Sequence, residues 1–269
     1  MLLLEAENKL MWNDITNLLS KYWENYLNGT LATIVLSFVG TFGGLFLGIF
    51  LAYFKSLKTK NVSIYQKLWR IPLKFLSNLY SIIIRGTPMM VQAMLLKYGS
   101  QMLGLNWNNV LMGINTWNGW FIAGLVVITF NTTAYMGEII ESGLNGVGND
   151  QIEGAKSLGM NDFQILIHVT LPQAIRNSIP TIGNEWVVNI KDSSVLNVIA
   201  VSELYWQASS AASKGYQYLA TYVIIACIYL SLTLISTGIL KLIAFKLDGN
   251  KISTSLKNYL SHYKKVGAN

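Results

Sequence analysis

Leu27 to Phe54 reads LNGTLATIVLSFVGTFGGLFLGIFLAYF, a run without a charged side chain. It exceeds the roughly 20 residues that a helix needs to cross a bilayer. Inside it, Gly40, Gly43, Gly44 and Gly48 include two glycine pairs spaced four apart. That spacing strips one helix face of side chains, so another backbone can approach closely. The stretch therefore reads as a buried membrane span, and the rest of the chain repeats its grammar. Long apolar runs are separated by clusters of charge.

Composition agrees. Hydrophobic residues make up 52% of the 269 positions and charged residues 12%, about half the roughly 25% of a soluble domain. A soluble chain with so little charge could not cover its surface. The net charge of +7 is not a nucleic-acid patch, because the basic residues sit where apolar runs end. Lys55, Lys58, Lys60, Lys67, Arg70 and Lys74 follow the first run with no acid among them. Lys241, Lys246, Lys251, Lys257, Lys264 and Lys265 follow the last, against Asp248 alone. Before the first run, acids (Glu5, Glu7, Asp14, Glu24) outnumber Lys9 and Lys21. This asymmetry places the N-terminus outside and the C-terminus in the cytoplasm. The N-terminal residues lack the basic start and long apolar core of a cleavable signal, so the first span is expected to target the chain. Cys227 is the one cysteine, which excludes an intrachain disulfide or a cysteine metal cluster.

The expected fold is an all-α integral membrane protein, a single transmembrane domain over 1–269 with its core at about 27–245. A helix at about 13–27, with Ile15, Leu18, Leu19, Tyr22 and Tyr26 on one face, should lie on the outer surface. Five spans follow. They are Leu27–Phe54; Met89 to about Leu105; Trp117–Ile140; Leu171 to about Ala200, broken at Pro180 and Gly183; and Tyr218–Phe245. Trp107, Trp117 and Trp120 suit an outer aromatic belt. Ahead of the second span, Gly86 is expected to end one helix, Thr87 to cap the next and Pro88 to sit in its first turn.

The longest polar interruption, about 141–172, falls inside. Asp150 with Glu153 is spaced as a capping box and should start a short helix there. Gly159 should end it, and Asn161 with Gln164 should start another. A short capped helix pair of this kind suits a partner's groove, although a plain structured loop would carry the same local signals. His168 in this stretch reads as a surface or interface residue.

Glu153, Gly154, Ala155, Gly159, Val169, Leu171 and Pro172 resemble, in register, the EAA loop of ABC importer permeases, written E-A-A-x3-G-x9-I-x-L-P. Gly154 and Val169 depart mildly from it. Arg85-Gly86-Thr87-Pro88-Met89-Met90-Val91-Gln92, and Gly183-Asn184-Glu185 followed by Lys191-Asp192-Ser193-Ser194, are similar to the polar-amino-acid branch of that family. The resemblance spans roughly Gly29 to Ala244. It implies a permease subunit of an ATP-driven importer in the cell membrane, carrying a polar amino acid. It also implies docking on a cytoplasmic ATPase dimer through Glu153, Gly154, Ala155, Ser157, Leu158 and Gly159. A second permease subunit and an extracytoplasmic solute-binding protein would complete the complex. The chain lacks a G-x4-G-K-[ST] phosphate loop; ATP and magnesium are expected on the partner, and no cofactor or metal on this chain. The chain is accordingly read as a transport subunit and not an enzyme.

Ionisable groups at membrane depth face a cavity or a partner. Glu185 and Asp192 lie seven residues apart on one helical face with Asn189 between them, suited to an ammonium or guanidinium group. An internal pair of Lys191 with Glu185 is the alternative. Arg85 either grips a carboxylate or caps free helix ends. With Gln92 and Ser193 from the matching motifs, these residues form the expected substrate pathway. Asn131, Thr132, Thr133 and Tyr135 line it or bond between helices. The rival function is an ion-coupled carrier working without an ATPase, which usually pairs broken helices in repeated halves. A membrane enzyme would need an acid–base or metal set that Glu138, Glu185 and Asp192 alone do not supply.

Overall fold

The computed structural model describes residues 2–59, 62–105, 107 and 119–248. The expectations for Trp117 and for the lysines beyond Asp248 lie outside these residues. Among the described residues the fold is helical throughout. The order is α1 (Leu2–Ser56), α2 (Ile64–Gly86), α3 (Met89–Met102), α4 (Gly119–Asn145), α5 (Asn149–Ser157), α6 (Asp162–Ile165), α7 (Leu171–Asp192), α8 (Leu204–Gly215) and α9 (Tyr218–Asp248). A π-helical turn, Leu166–Thr170, joins α6 to α7, and a 3-10 segment, Ser193–Ile199, follows α7.

α1 holds 55 residues, about 80 Å of helix, against roughly 30 Å of bilayer hydrocarbon. Its backbone kinks at Tyr22, the one non-helical position inside it. The expected surface helix is therefore continuous with the first span. Part of its apolar face is covered by protein: Ile15, Leu18 and Tyr26 cluster with Leu204, Ala208, Ala220 and Ile224 of α8 and α9, while Leu19 stays exposed. Gln217 donates to the Asp14 carboxylate at 2.6 Å, and Asn25 donates to Gln207 at 2.9 Å. Polar clamps at both ends of the segment hold it against α8 and the start of α9.

The glycine face of α1 behaves as its spacing predicts. A Cβ at Gly44 would sit 2.8 Å from the Thr132 Cβ of α4, and one at Gly48 would sit 2.6 Å from the Met136 Cβ. Two spans in such close contact gain dispersion that no lipid tail supplies. Between them, the buried Asn189 amide of α7 donates to Thr41 of α1 at 2.8 Å and to Thr132 of α4 at 3.0 Å. One amide thus ties three helices inside the apolar core.

Among the described residues, three helices are long and apolar enough to cross a membrane: Trp12–Ser56, Gly119–Asn145 and Tyr218–Lys246. The bent pair α2–α3 counts as a fourth if it is one span. α3 alone has 14 residues, too short to cross by itself.

α7 corrects the expected break. It runs as one α-helix through Pro180 and Gly183 to Asp192. Pro180 is exposed, and buried Ala174, Ser178, Ile182 and Ile190 hold the helix on either side of it. Gly183 serves packing and does not interrupt the helix, because a Cβ there would lie 2.9 Å from Leu240 Cδ1 of α9. The real interruption comes later, where the 3-10 segment ends at Ala200 with φ of 64°.

Candidate functional site

The site grows from the α2–α3 bend. Pro88 has no N–H to donate and disfavours a helical backbone at the residue before it. Thr87 accordingly adopts φ −124°, ψ 142°, and the two helices meet at 106°. Thr87 does not cap α3; its hydroxyl donates back to the Ile83 carbonyl at 2.8 Å. Pro88, not Thr87, occupies the N-cap position. The carbonyls freed at the end of α2 need donors, and Gln92 supplies them. Its amide nitrogen reaches the carbonyls of Ile84 at 2.8 Å and Thr87 at 3.0 Å. Its oxygen accepts from Asn131 of α4 at 3.0 Å. Gln92 thus stands in the expected pathway region as the staple of the bend.

Above the bend is a cavity of about 440 Å³ between α2–α3, α4 and α7, lined by Arg85, Asn131, Tyr135, Glu185 and Asp192 among others. The two carboxylates share this wall as their seven-residue spacing requires, and neither is ion-paired among the described residues. The alternative Glu185–Lys191 pair does not form, because Lys191 turns to the exposed side. Asn189 is corrected as well: it points into the core on Thr41 and Thr132. Its place on the helical wheel lies at the edge of the acidic face, close enough to a neighbour to be drawn inward. Ser193 is buried, its hydroxyl donating to the Ile190 carbonyl at 2.9 Å.

Arg85 caps no helix end. Its guanidinium lies 3.3 Å from Glu138 and over the Tyr135 ring at 5.7 Å. Glu138 also meets Lys55, which lies 3.0 Å from Glu141. Lys55, grouped by sequence with a solvated basic cluster, is in fact only 4% exposed. This network joins the C-terminal end of α1 to α4 and to the bend. Sequence reasoning missed it, although Glu138 and Glu141, three apart on one face at the end of an apolar helix, were a signal that a cation must meet them.

The second cluster is α5. Its start corrects the expected capping box: Gly148 is the N-cap residue and no side chain closes the first turn. Its end is as expected, with Gly159 at φ 80°. Asn161 and Gln164 do form a reciprocal capping box, each bond 2.9 Å. Gln173 of α7 donates to Gln151 at 2.6 Å and anchors α5 to the long helix. Glu153, Gly154, Ser157 and Gly159 are exposed, and Leu158 shows 83% of its surface. Ala155 faces inward and packs α5 down. An apolar side chain held out at the tip of a short, anchored helix is shaped to enter a partner.

Glu203 also escaped the sequence reading. Fully buried, it caps α8 by accepting from the Tyr205 and Trp206 N–H groups at 2.8 Å, and from the Tyr229 hydroxyl at 3.0 Å. Burial pushes its carboxyl up to about 7, against hydrogen bonds that favour the charged form.

The family described as binding-protein-dependent transport system inner membrane component matches residues 44–249. The arginine transport system permease protein ArtQ of Bacillus subtilis is 32% identical over 180 residues, covering 66% of this chain and 77% of ArtQ. The nopaline transport system permease protein NocM of Agrobacterium fabrum is 33% identical over 167 residues, covering 61% and 67%. A solved amino acid ABC transporter with histidines superposes with a TM-score of 0.70 at 33% identity, over 85% of this chain and 96% of that one.

Proposed function

The chain belongs to the family of binding-protein-dependent transport system inner membrane components, and from that premise we propose that it is the permease subunit of an ATP-driven importer for a polar amino acid. Five crossings organise it: α1 beyond the kink, the bent pair ending in α3, α4, α7 with its 3-10 extension, and α9. The N-terminus is outside, and the basic loop after α1 and the end of α9 are in the cytoplasm. The single domain takes in the N-terminal segment and the inner loop at 141–172.

The observation that carries this reading is α5, anchored at Gln151 and exposing Leu158 beside Gly159. An ATPase dimer holding such a tip moves α7 directly, because α6, the π turn and α7 follow one another without a break. ATP and magnesium belong to that partner. A second permease subunit and an extracytoplasmic solute-binding protein complete the assembly. The acidic wall of Glu185 and Asp192 favours a cationic side chain, with ammonium or guanidinium as the group it accepts.

Uptake by vesicles holding the complex tests this. Transport should require ATP, and Glu185→Gln and Asp192→Asn should each weaken cationic amino acids most. The expected loss is roughly ten- to hundred-fold, from about 1.5–3 kcal/mol for a hydrogen bond to a charged group. Uptake by this chain alone, without any ATPase, would establish the ion-coupled carrier instead. Equal loss for cationic, neutral and acidic cargo would remove the charge-recognition part.

A further inference from the structure

A second cavity, of about 210 Å³, lies between the inner end of α1, the start of α2 and the α5–α6 pair. Three cations from three separate elements line it: Lys58 after α1, Arg70 on α2 and Lys156 on α5. Asp162 is the one carboxylate on its wall, and no ion pair joins it to these cations among the described residues. Bringing three like charges to one concavity is unfavourable unless an anion offsets them. Arg70 is the telling member. One of its terminal nitrogens donates to the Lys58 carbonyl at 3.1 Å, which fixes the side chain, while its Nε is buried with no partner among the described residues. A buried, oriented and unsatisfied guanidinium donor costs free energy that a bound acceptor would recover.

The floor of the cavity is apolar (Leu57, Ile165, Leu166) and the rim includes the Tyr53 ring. Beside Arg70, α2 turns Leu68, Ile71 and Phe75 outward, a strip that acyl chains would cover. We infer that this cavity binds a phosphate group, presented by an anionic phospholipid of the inner leaflet with its headgroup between Lys58, Arg70 and Lys156 and its chains along α2. Basic pockets between membrane helices on the cytoplasmic side recognise headgroups by this chemistry. A phosphate there bridges α5 to the ends of α1 and α2, and so stiffens the base of the helix that meets the ATPase. The proposal rests on the cavity and on the inner-side placement of the basic loop, not on the cargo.

The test uses the full chain purified in detergent and stripped of lipid, with binding read by native mass spectrometry. Phosphatidylglycerol should bind at one saturable site, at least ten-fold more tightly than zwitterionic phosphatidylcholine. Lys58→Gln and Arg70→Gln should each weaken that binding about ten-fold, and Lys246→Gln, on α9, should not. Because Arg70 also holds the Lys58 carbonyl, Lys156→Gln gives the same reading without touching a hydrogen bond of the fold. A parallel titration with inorganic phosphate separates the sources. Competition at matching affinity would confirm the phosphate site and make the ligand a free anion. Equal binding by wild type and all three variants, or no preference for the anionic headgroup, would overturn the inference. These readouts need no transport, so a failure of ATP-driven uptake leaves them standing.

Discussion

Replacing Lys55 with methionine should be the most damaging single change to the ion network, and the structure ranks its neighbours in advance. Lys55 is 4% exposed, and it faces Glu138 and Glu141, at 36% and 27%. Methionine fills the space of the stem but removes the charge. Stripping one partner from a buried pair costs about 3–5 kcal/mol, because the remaining charge is left uncompensated. Here that figure must be reduced. Glu138 keeps Arg85 at 3.3 Å, and both carboxylates are partly open to water. Glu141 loses its one ion-pair partner among the described residues. The balance is about 2–3 kcal/mol. Glu138→Gln leaves Lys55 with Glu141 and should cost about 1 kcal/mol, one charged hydrogen bond offset by the carboxylate's exposure. Arg85→Gln removes a 44%-exposed guanidinium and should cost less than about 1 kcal/mol, as surface pairs do. At roughly 2–4 °C per kcal/mol for a chain of this size, Lys55→Met should lower the melting midpoint of the detergent-purified protein by about 4–12 °C. The order of the three variants is the sharper test. If Arg85→Gln destabilises as much as Lys55→Met, the assignment of Lys55 as the buried hub is wrong.

Gly159→Val should cost about 1–2 kcal/mol at its positive φ, and cargo-stimulated ATP hydrolysis should fall while membrane insertion stays normal; unchanged coupling would sink the docking role of α5. Gly183→Ala should destabilise by about 1–3 kcal/mol through overpacking against Leu240, and adding Leu240→Ala should recover part of it; a double variant no better than the single would refute the contact. Glu203 holds its proton more tightly in the folded chain than its ordinary value of 4.5 allows. Its contribution to stability is therefore full below about 4.5 and is lost as pH rises through about 7. The melting midpoint should fall across that window, and Glu203→Gln should flatten the fall; an identical slope in the variant would place the titration elsewhere.

The features legible in the sequence share one physical origin: they are local or periodic. The glycine spacing at 40, 44 and 48 dictates which face of α1 lies bare, whatever helix meets it, and α4 meets it there. Gly159 ends α5 because a turn of that hand wants no side chain, and Asn161 with Gln164 closes its box within four residues. Glu185 and Asp192 reach one cavity because two helical turns bring them to one face. What escaped is tertiary. Pro180 and Gly183 look like a break when only neighbours along the chain are counted. Between buried residues on α7 and a leucine on α9, they are a tolerated proline and a contact point. Lys55 reads as one more cytoplasmic cation until α4 brings two carboxylates to it.

The same distinction explains the division of labour within the molecule. Gln92 and Asn189, both placed in the expected pathway, spend their hydrogen bonds on the scaffold: one staples a 106° bend and the other ties three helices. A polar side chain satisfied in this way has little capacity left for a cargo. Glu185 and Asp192 make no such bonds among the described residues, and the guanidinium across from them is already held by Glu138. The cavity therefore presents uncommitted negative charge set in a frame of committed polar groups. On the proposed reading, neutral partners fix its shape while the free carboxylates decide what enters. Because α7 carries those carboxylates and its Gln173 bonds Gln151 of α5, the proposed docking at Leu158 would also move the acidic wall. On that reading, cargo binds on α7 while the partner holds α5, and the two are tied by the Gln151–Gln173 bond.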